Sequence, residues 1–195
     1  MSTEDVKSYI KEHPLLAVTA STLICAGIGF GLEYVLLSQF GLNIGTFASV
    51  EYFLLAGITS PEVVLLFAAL LVGGFFRLRI VEKTAPKRTK ERWYYVLLPD
   101  ITGVFIIGAT IFAVFTIAEQ KHKKIVENPT EFAAVTLRTG SMNLVPDKFD
   151  LTLITATDTF MLFYQHSTES VYAAPIENIL YVNIIHKNDI GNVPE

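Results

Sequence analysis

Two long stretches without a basic side chain constrain this chain more than any other feature. No Lys or Arg occurs from Glu12 to Phe76, and none from Trp93 to Gln120. A helix needs ~20 predominantly apolar residues to cross the ~30 Å hydrocarbon core of a bilayer, and both stretches are long enough to supply them. The composition agrees, with 51% apolar and 17% charged residues, against about 25% charged in soluble domains. Disorder and nucleic-acid binding through bulk charge are thereby excluded as readings. The lone cysteine, Cys25, lies inside the first stretch, so neither an intrachain disulfide nor a cysteine-based metal site is expected.

Residues 1–13 read as a short amphipathic helix on the membrane surface. Ser2 caps it, and Val6, Tyr9 and Ile10 share a face opposite Glu4, Lys7 and Lys11. Its acidic start and the length of the following apolar run are unlike a cleaved signal peptide, so a retained anchor is expected. Span one is expected over 14–39, opening at Pro14, a residue suited to the first turn of a helix. Ser49 to Ile58 is apolar but too short to cross, which predicts an interfacial or re-entrant helix. Ser60-Pro61-Glu62 combines a capping hydroxyl, a proline where no amide donor is needed and a carboxylate on the positive helix end, and it opens span two, 61–76.

The loop over 77–93 holds seven basic residues, Arg77, Arg79, Lys83, Lys87, Arg88, Lys90 and Arg92, against Glu82 and Glu91. Such an excess marks a cytoplasmic loop. After the aromatic belt Trp93-Tyr94-Tyr95, span three is expected over 99–118 from Pro99-Asp100, with residues 14–120 forming the transmembrane domain. Three crossings place the C-terminal region on the opposite face, in a membrane expected to be the bacterial inner membrane. The cluster Lys121 to Lys124 opposes this sidedness but is outnumbered by the loop.

A linker is expected over 121–131, and past Asn128-Pro129 the periodicity changes to alternation. Phe132 to Leu137, Leu151 to Thr155, Thr159 to Tyr164, Ser170 to Ala173 and Ile179 to Ile185 read as five short strands. They form a small antiparallel β-domain over 132–188, ahead of a tail at 189–195. The expected fold class is an α-helical membrane protein with three transmembrane helices, a short interfacial or re-entrant helix and a small all-β C-terminal domain.

Several residues are candidates for function. Glu33 is an ionisable side chain well inside span one, where a carboxylate marks either a polar site within the membrane or a group reaching water beside Tyr34. Gly27 with Gly31, and Ala109 with Ala113, are pairs of small residues that let helix backbones approach closely, within one subunit or between copies. The seven basic residues of the loop are candidates for docking anionic lipid, at about 1 kcal/mol each, or a cytosolic protein partner, although topology alone also explains them. His13, His122, His166 and His186 fall on separate elements without ligand spacing, so no metal and no cofactor is expected. Asn128-Pro129-Thr130 is not a glycosylation acceptor, because proline occupies its middle position.

Two family resemblances arise in the β-domain. Leu153 to Leu162, with Asp158 and Met161 three apart, the break at Pro175 and the run Ile179 to Ile185 resemble the Sm-like small barrel. That resemblance implies five strands and ring assembly. Leu162 stands where the family has asparagine, and Pro175-Ile176 where it has arginine-glycine, so RNA binding is not implied. The corner Ala174-Pro175-Ile176 is also similar to one in the β-domain of small-conductance mechanosensitive channels, where that domain is cytoplasmic. Gly140-Ser141-Met142, followed by His186-Lys187, resembles the nucleophile and base of membrane signal peptidases, with Leu144 in place of the family's proline. The plainer reading of Gly140-Ser141 is a turn.

The functional expectation is a non-enzymatic membrane protein that self-assembles into a homo-oligomeric sensor, scaffold or pore, with membrane lipid as its surroundings and no nucleic-acid partner. The alternative is the membrane subunit of a bacterial two-gene defence or toxin-immunity system that docks a cytosolic partner through the basic loop. A signal-peptidase-like serine protease is the third reading.

Overall fold

The computed structural model describes Ser8 and residues 11–84, 93–137 and 150–187. The expected surface helix at 1–13 lies almost wholly outside the described residues. Among the described residues from Pro14 on, four α-helices precede five strands: α1 (Pro14–Gln39), α2 (Val50–Thr59), α3 (Pro61–Thr84), α4 (Trp93–Val126), β1 (Glu131–Leu137), β2 (Leu151–Ala156), β3 (Phe160–Gln165), β4 (Ser170–Pro175) and β5 (Ile179–His186).

Three segments, Pro14–Gln39, Pro61–Ile80 and Ile101–Val126, are long and apolar enough to cross a membrane. Helix α2 has 10 residues, which at ~1.5 Å each spans about 15 Å, half of what a crossing needs. Two helices exceed the expected spans. α3 continues past Phe76 to Thr84, because Arg and Lys end an apolar run without ending a helix, being good helix formers themselves. α4 opens at Trp93 and carries Pro99 in its interior. A membrane helix tolerates such a proline when neighbouring groups satisfy the freed carbonyl. At its other end α4 runs on to Val126, absorbing half of the expected linker, with Glu119 and Lys123 paired at 2.7 Å one turn apart.

The local sequence explains where α1 ends and α2 begins. Gly41 adopts φ +72°, a conformation glycine reaches without strain. Its amide donates to the Ser38 carbonyl at 3.0 Å and the Leu42 amide donates to the Leu37 carbonyl at 3.0 Å, so two of the orphaned carbonyls of the helix end are satisfied. Asn43 then caps a single turn, Ile44–Thr46, by accepting from the Gly45 amide at 3.1 Å. The Ser49 hydroxyl accepts from the Tyr52 amide at 3.3 Å and opens α2.

The chain divides into two compact units, each discontinuous in sequence. One comprises Met1–Leu32 with Phe53–Thr116, the other Glu33–Tyr52 with Ile117–Glu195. In the first, α2 crosses α1 so closely that a Cβ on Gly57 would lie 2.6 Å from the Cys25 carbonyl oxygen and 2.7 Å from the Ala26 Cα. The rings of Phe30 and Phe53 meet edge to face at 4.9 Å. The candidate span of α1 is 28% buried, that of α3 6% and that of α4 11%. Among the described residues, most of the apolar surface of α3 and α4 is therefore uncovered.

In the second unit the strands form two antiparallel sheets, β1–β5 and β2–β3–β4. Phe132 pairs with Ile185 and Val135 with Val182, with an irregularity at Thr136/Leu137. Leu151 pairs with Gln165 and Phe163 with Tyr172, with another irregularity between Leu153 and Thr155. Alternation is clean in β1, which turns Ala133 and Val135 to the core. Ala133, Val135, Leu151, Phe163 and Ala174 are buried there, with Leu137, Leu153, Met161, Ile179 and Val182 packed around them. β3 is buried on both faces, since Leu162 and Tyr164 of its other face are covered too. Phe40, just past the end of α1, lies 5.7 Å from the Tyr164 ring and 4.7 Å from the His122 ring.

Candidate functional site

One polar arrangement joins the segment 43–52 to the β2–β3 hairpin, within the second unit. The hairpin turn is built around Thr157, a buried residue. Its amide donates to the Phe160 carbonyl at 2.8 Å, and its hydroxyl accepts from the Phe160 amide at 2.9 Å. With the turn held from inside, Asp158 and Thr159 are left to bond elsewhere. The Ser49 amide donates to Asp158 Oδ1 at 3.2 Å, and the Thr159 hydroxyl donates to the Phe47 carbonyl at 3.1 Å. Phe47 and Phe160 meet edge to face at 5.5 Å beside them. The Tyr52 hydroxyl lies 3.1 Å from the Thr155 hydroxyl. Three polar links and an aromatic pair thus fasten the hairpin to the N-terminal turn of α2.

The electrostatics fit this fastening. Hydrogen bonding from Ser49 holds the Asp158 carboxyl below its usual range, so the contact is made by an anion and is stronger for it. Burial pushes the Tyr52 phenol up, and the charge of Glu33 pushes it further the same way. The phenol therefore stays a neutral hydroxyl. Glu33 is half buried, with Oε2 enclosed by protein. Its charge is felt at the Tyr52 phenol.

A second polar cluster closes the open end of the same hairpin. Asp150 accepts from the Ser167 amide and from Gln165 Nε2, each at 2.7 Å. Although burial opposes it, these bonds hold the Asp150 carboxyl below its usual range. His166 Nε2 lies 2.9 Å from the Thr152 hydroxyl, with the Tyr164 ring edge-on at 5.0 Å. Burial pushes the His166 ring down in pKa, against the pull of Asp150. The Thr152 hydroxyl donates to the Glu131 carbonyl at 3.3 Å and is buried. A hydroxyl so committed is placed to tie β1 to β2 and is poorly placed to attack a substrate.

The residues singled out in the sequence fall in separate places. An added Cβ on Gly27 meets nothing within 4 Å, and one on Gly31 meets Val114 Cγ1 at 3.9 Å. The close helix approach within the chain occurs instead at Gly57, which drew no notice because it stands alone among larger residues. Ala109 and Ala113 line an apolar groove of about 200 Å³ between α3 and α4, together with Gly73 and Phe105. Arg77 lies across Gly103, where a Cβ would be 3.0 Å from its Nε, and the Arg79 guanidinium sits 5.2 Å from the centre of the Phe75 ring. Lys83 falls within α3, whereas Lys87, Arg88, Lys90 and Arg92 lie outside the described residues.

Of the protease resemblance, Ser141 and Met142 also lie outside the described residues. His186 Nδ1 is 3.5 Å from Glu131 Oε1, and both side chains are exposed. Among the described residues no group of three or more His, Cys, Asp or Glu could hold a metal ion. In the sequence Ser49 stands out only as the start of a short apolar segment, Asp158 only through the small-barrel resemblance, and Tyr52 not at all. Nothing in the sequence joined them. Comparison with protein-family models, with curated proteins and with solved structures finds no match.

Proposed function

We propose that this chain is an integral membrane protein of three spans, non-enzymatic, that works as a homo-oligomeric sensor or scaffold. The observation that carries the proposal is the fastening of the β2–β3 hairpin to the N-terminal turn of α2 by Ser49–Asp158, Thr159–Phe47 and Tyr52–Thr155. A short apolar helix that lies in the bilayer interface responds to lipid thickness and tension, and this fastening would carry its displacement to the β-domain.

Self-assembly draws support from surface that the chain does not cover. Leu65, Val104, Phe105 and Phe112 are each at least 70% exposed. On the β-domain, Leu180 and Tyr181 are more than half exposed on β5, which among the described residues pairs only with β1. Helices in lipid associate through packing rather than hydrophobicity, and an open strand edge is a ready template for a second copy.

The test of coupling is amide exchange over 155–160 after reconstitution in thin and thick bilayers. Exchange should differ between the two for the wild type, and the difference should vanish in the double variant Tyr52→Phe, Asp158→Ala. A hairpin indifferent to thickness removes the sensor reading. Crosslinking in native membranes tests assembly: Gly27→Leu should disrupt it if span one forms the interface, deletion of 130–195 if the strands do, and a wild-type monomer refutes it. For sidedness, an impermeant thiol reagent applied to intact cells should reach a cysteine at Ser167 and not one at Lys87, and the opposite pattern reverses the topology.

A further inference from the structure

We infer that β5 is the contact strand of a two-fold dimer, its free edge pairing antiparallel with β5 of a second copy. This rests on the reading that copies of the chain assemble, and it names the surface through which their β-domains would meet. Among the described residues of the β-domain, the large apolar side chains left exposed are Ile176, Leu180, Tyr181 and Ile184, at 36%, 63%, 58% and 44%. All four fall on β5 and the turn before it. β4, the other strand paired on one side only among the described residues, carries none of them. A head-to-tail contact would need a second apolar patch to receive this one, whereas a contact across a two-fold axis needs only the patch itself.

The backbone of β5 suits such a pairing. Its register with β1 is regular from Tyr181 to His186, and the Lys187 amide donates to the Thr130 carbonyl at 2.9 Å. Amides alternate in direction along a strand, so those of Val182, Ile184 and His186 point away from β1, to the free edge. With the axis at Val182, that residue bonds its own copy, and Leu180 lies opposite Ile184 of the second chain, apolar on apolar. Tyr181 lies opposite Asn183. Charge favours the same axis. Glu177 and Lys187 stand five residues either side of Val182, so the carboxylate of one copy comes to the ammonium of the other. Both residues are exposed, and neither makes an ion pair with a described residue. The β1–β5 ribbons of the two copies would become one continuous sheet, which closes an edge that would otherwise stay open.

The experiment is mild oxidation of the full chain in native membranes, with Cys25→Ala so that introduced cysteines are its only thiols. Two differently tagged copies expressed together, one carrying Tyr181→Cys and the other Asn183→Cys, should give a mixed disulfide dimer. Opposed residues outside the ladder bonds lie ~4.5 Å apart across an antiparallel pair, within a disulfide's reach. Leu180→Cys alone should give none, because its two copies would lie about 14 Å apart along the strands. Adding Glu177→Lys to both copies should lower the mixed yield about fivefold, the equivalent of about 1 kcal/mol for a cross-strand charge pair, and Lys187→Glu in the same chains should restore it. An amine crosslinker on wild type reads assembly separately: a monomer removes the assembly reading itself, whereas oligomers without the mixed disulfide overturn the β5 contact alone. A mixed disulfide between Tyr172→Cys and Tyr181→Cys assigns β5 to β4 of a neighbour and overturns it too, as do equal yields at every position. A Tyr181→Cys thiol shielded from an impermeant reagent in membranes, without any disulfide, assigns the patch to the bilayer instead.

Discussion

Replacing Gly57 with alanine tests the packing of α2 against α1 most directly. The added methyl would sit 2.6 Å from the Cys25 carbonyl oxygen and 2.7 Å from the Ala26 nitrogen and Cα. These are backbone atoms of a helix, which cannot swing aside as a side chain can. Ordinary contact begins at 3.4 Å, so one helix must retreat by about 0.8 Å in an interior packed like a crystal. Overpacking of this kind costs about 1–3 kcal/mol. Alanine also gains about 1 kcal/mol over glycine in a helix, and that gain would mask part of the loss. Gly74→Ala removes the ambiguity, because it carries the same gain at a helical position where the new methyl meets nothing. The difference between the two variants isolates the collision. At roughly 2–4 °C per kcal/mol for a chain of this size, Gly57→Ala should melt roughly 2–12 °C below Gly74→Ala. Thermal melts in one detergent, followed by far-ultraviolet circular dichroism, measure it. A Gly57→Ala protein that melts with or above Gly74→Ala refutes the close approach and the placement of α2 that depends on it.

Three further outcomes are expected. Asp158, held below its ordinary value of 3.8 by Ser49, should stabilise the docking at pH above that value and lose this contribution as pH falls through the lower folded value. Asp158→Asn should therefore raise amide exchange over 47–52 at neutral pH and flatten its acid dependence, and an unchanged profile contradicts the role. His166, pushed below 6.5 by burial, favours the neutral ring in the folded state. Its contribution should be complete above pH 6.5 and fade as pH falls through the lowered value, so His166→Gln should narrow the difference in melting temperature between pH 7.5 and 5.5. Ser141→Ala and His186→Ala should each leave folding and assembly intact, because His186 makes only an exposed pair with Glu131. Loss of a proteolytic activity in either variant would establish an enzyme.

Much of the fold was legible because its causes are local. Pro14 marks the start of α1, Gly41 closes its end, and Ser60-Pro61-Glu62 opens α3, each through backbone chemistry confined to a few residues. The strands appeared through alternation, since half of each faces one core. The helices run on past the expected ends of the spans at Arg77 and after Ala118, because a charged residue can continue a helix beyond the apolar core. Pro99, where span three is expected to start, lies inside α4, since a helix can enclose a proline whose neighbours satisfy the freed carbonyl.

The sequence by itself determined which segments are apolar enough to cross a membrane and which alternate as strands, because transfer from water and side-chain period depend on composition and order alone. Tertiary structure decided which residues meet. Ser49 and Asp158 are 109 residues apart and Tyr52 and Thr155 are 103 apart, and no local preference encodes such pairings. The glycines make the same point. Gly27 and Gly31 carry the spacing of a packing motif, yet the close approach falls at Gly57, because a missing side chain matters only where another backbone is brought against it.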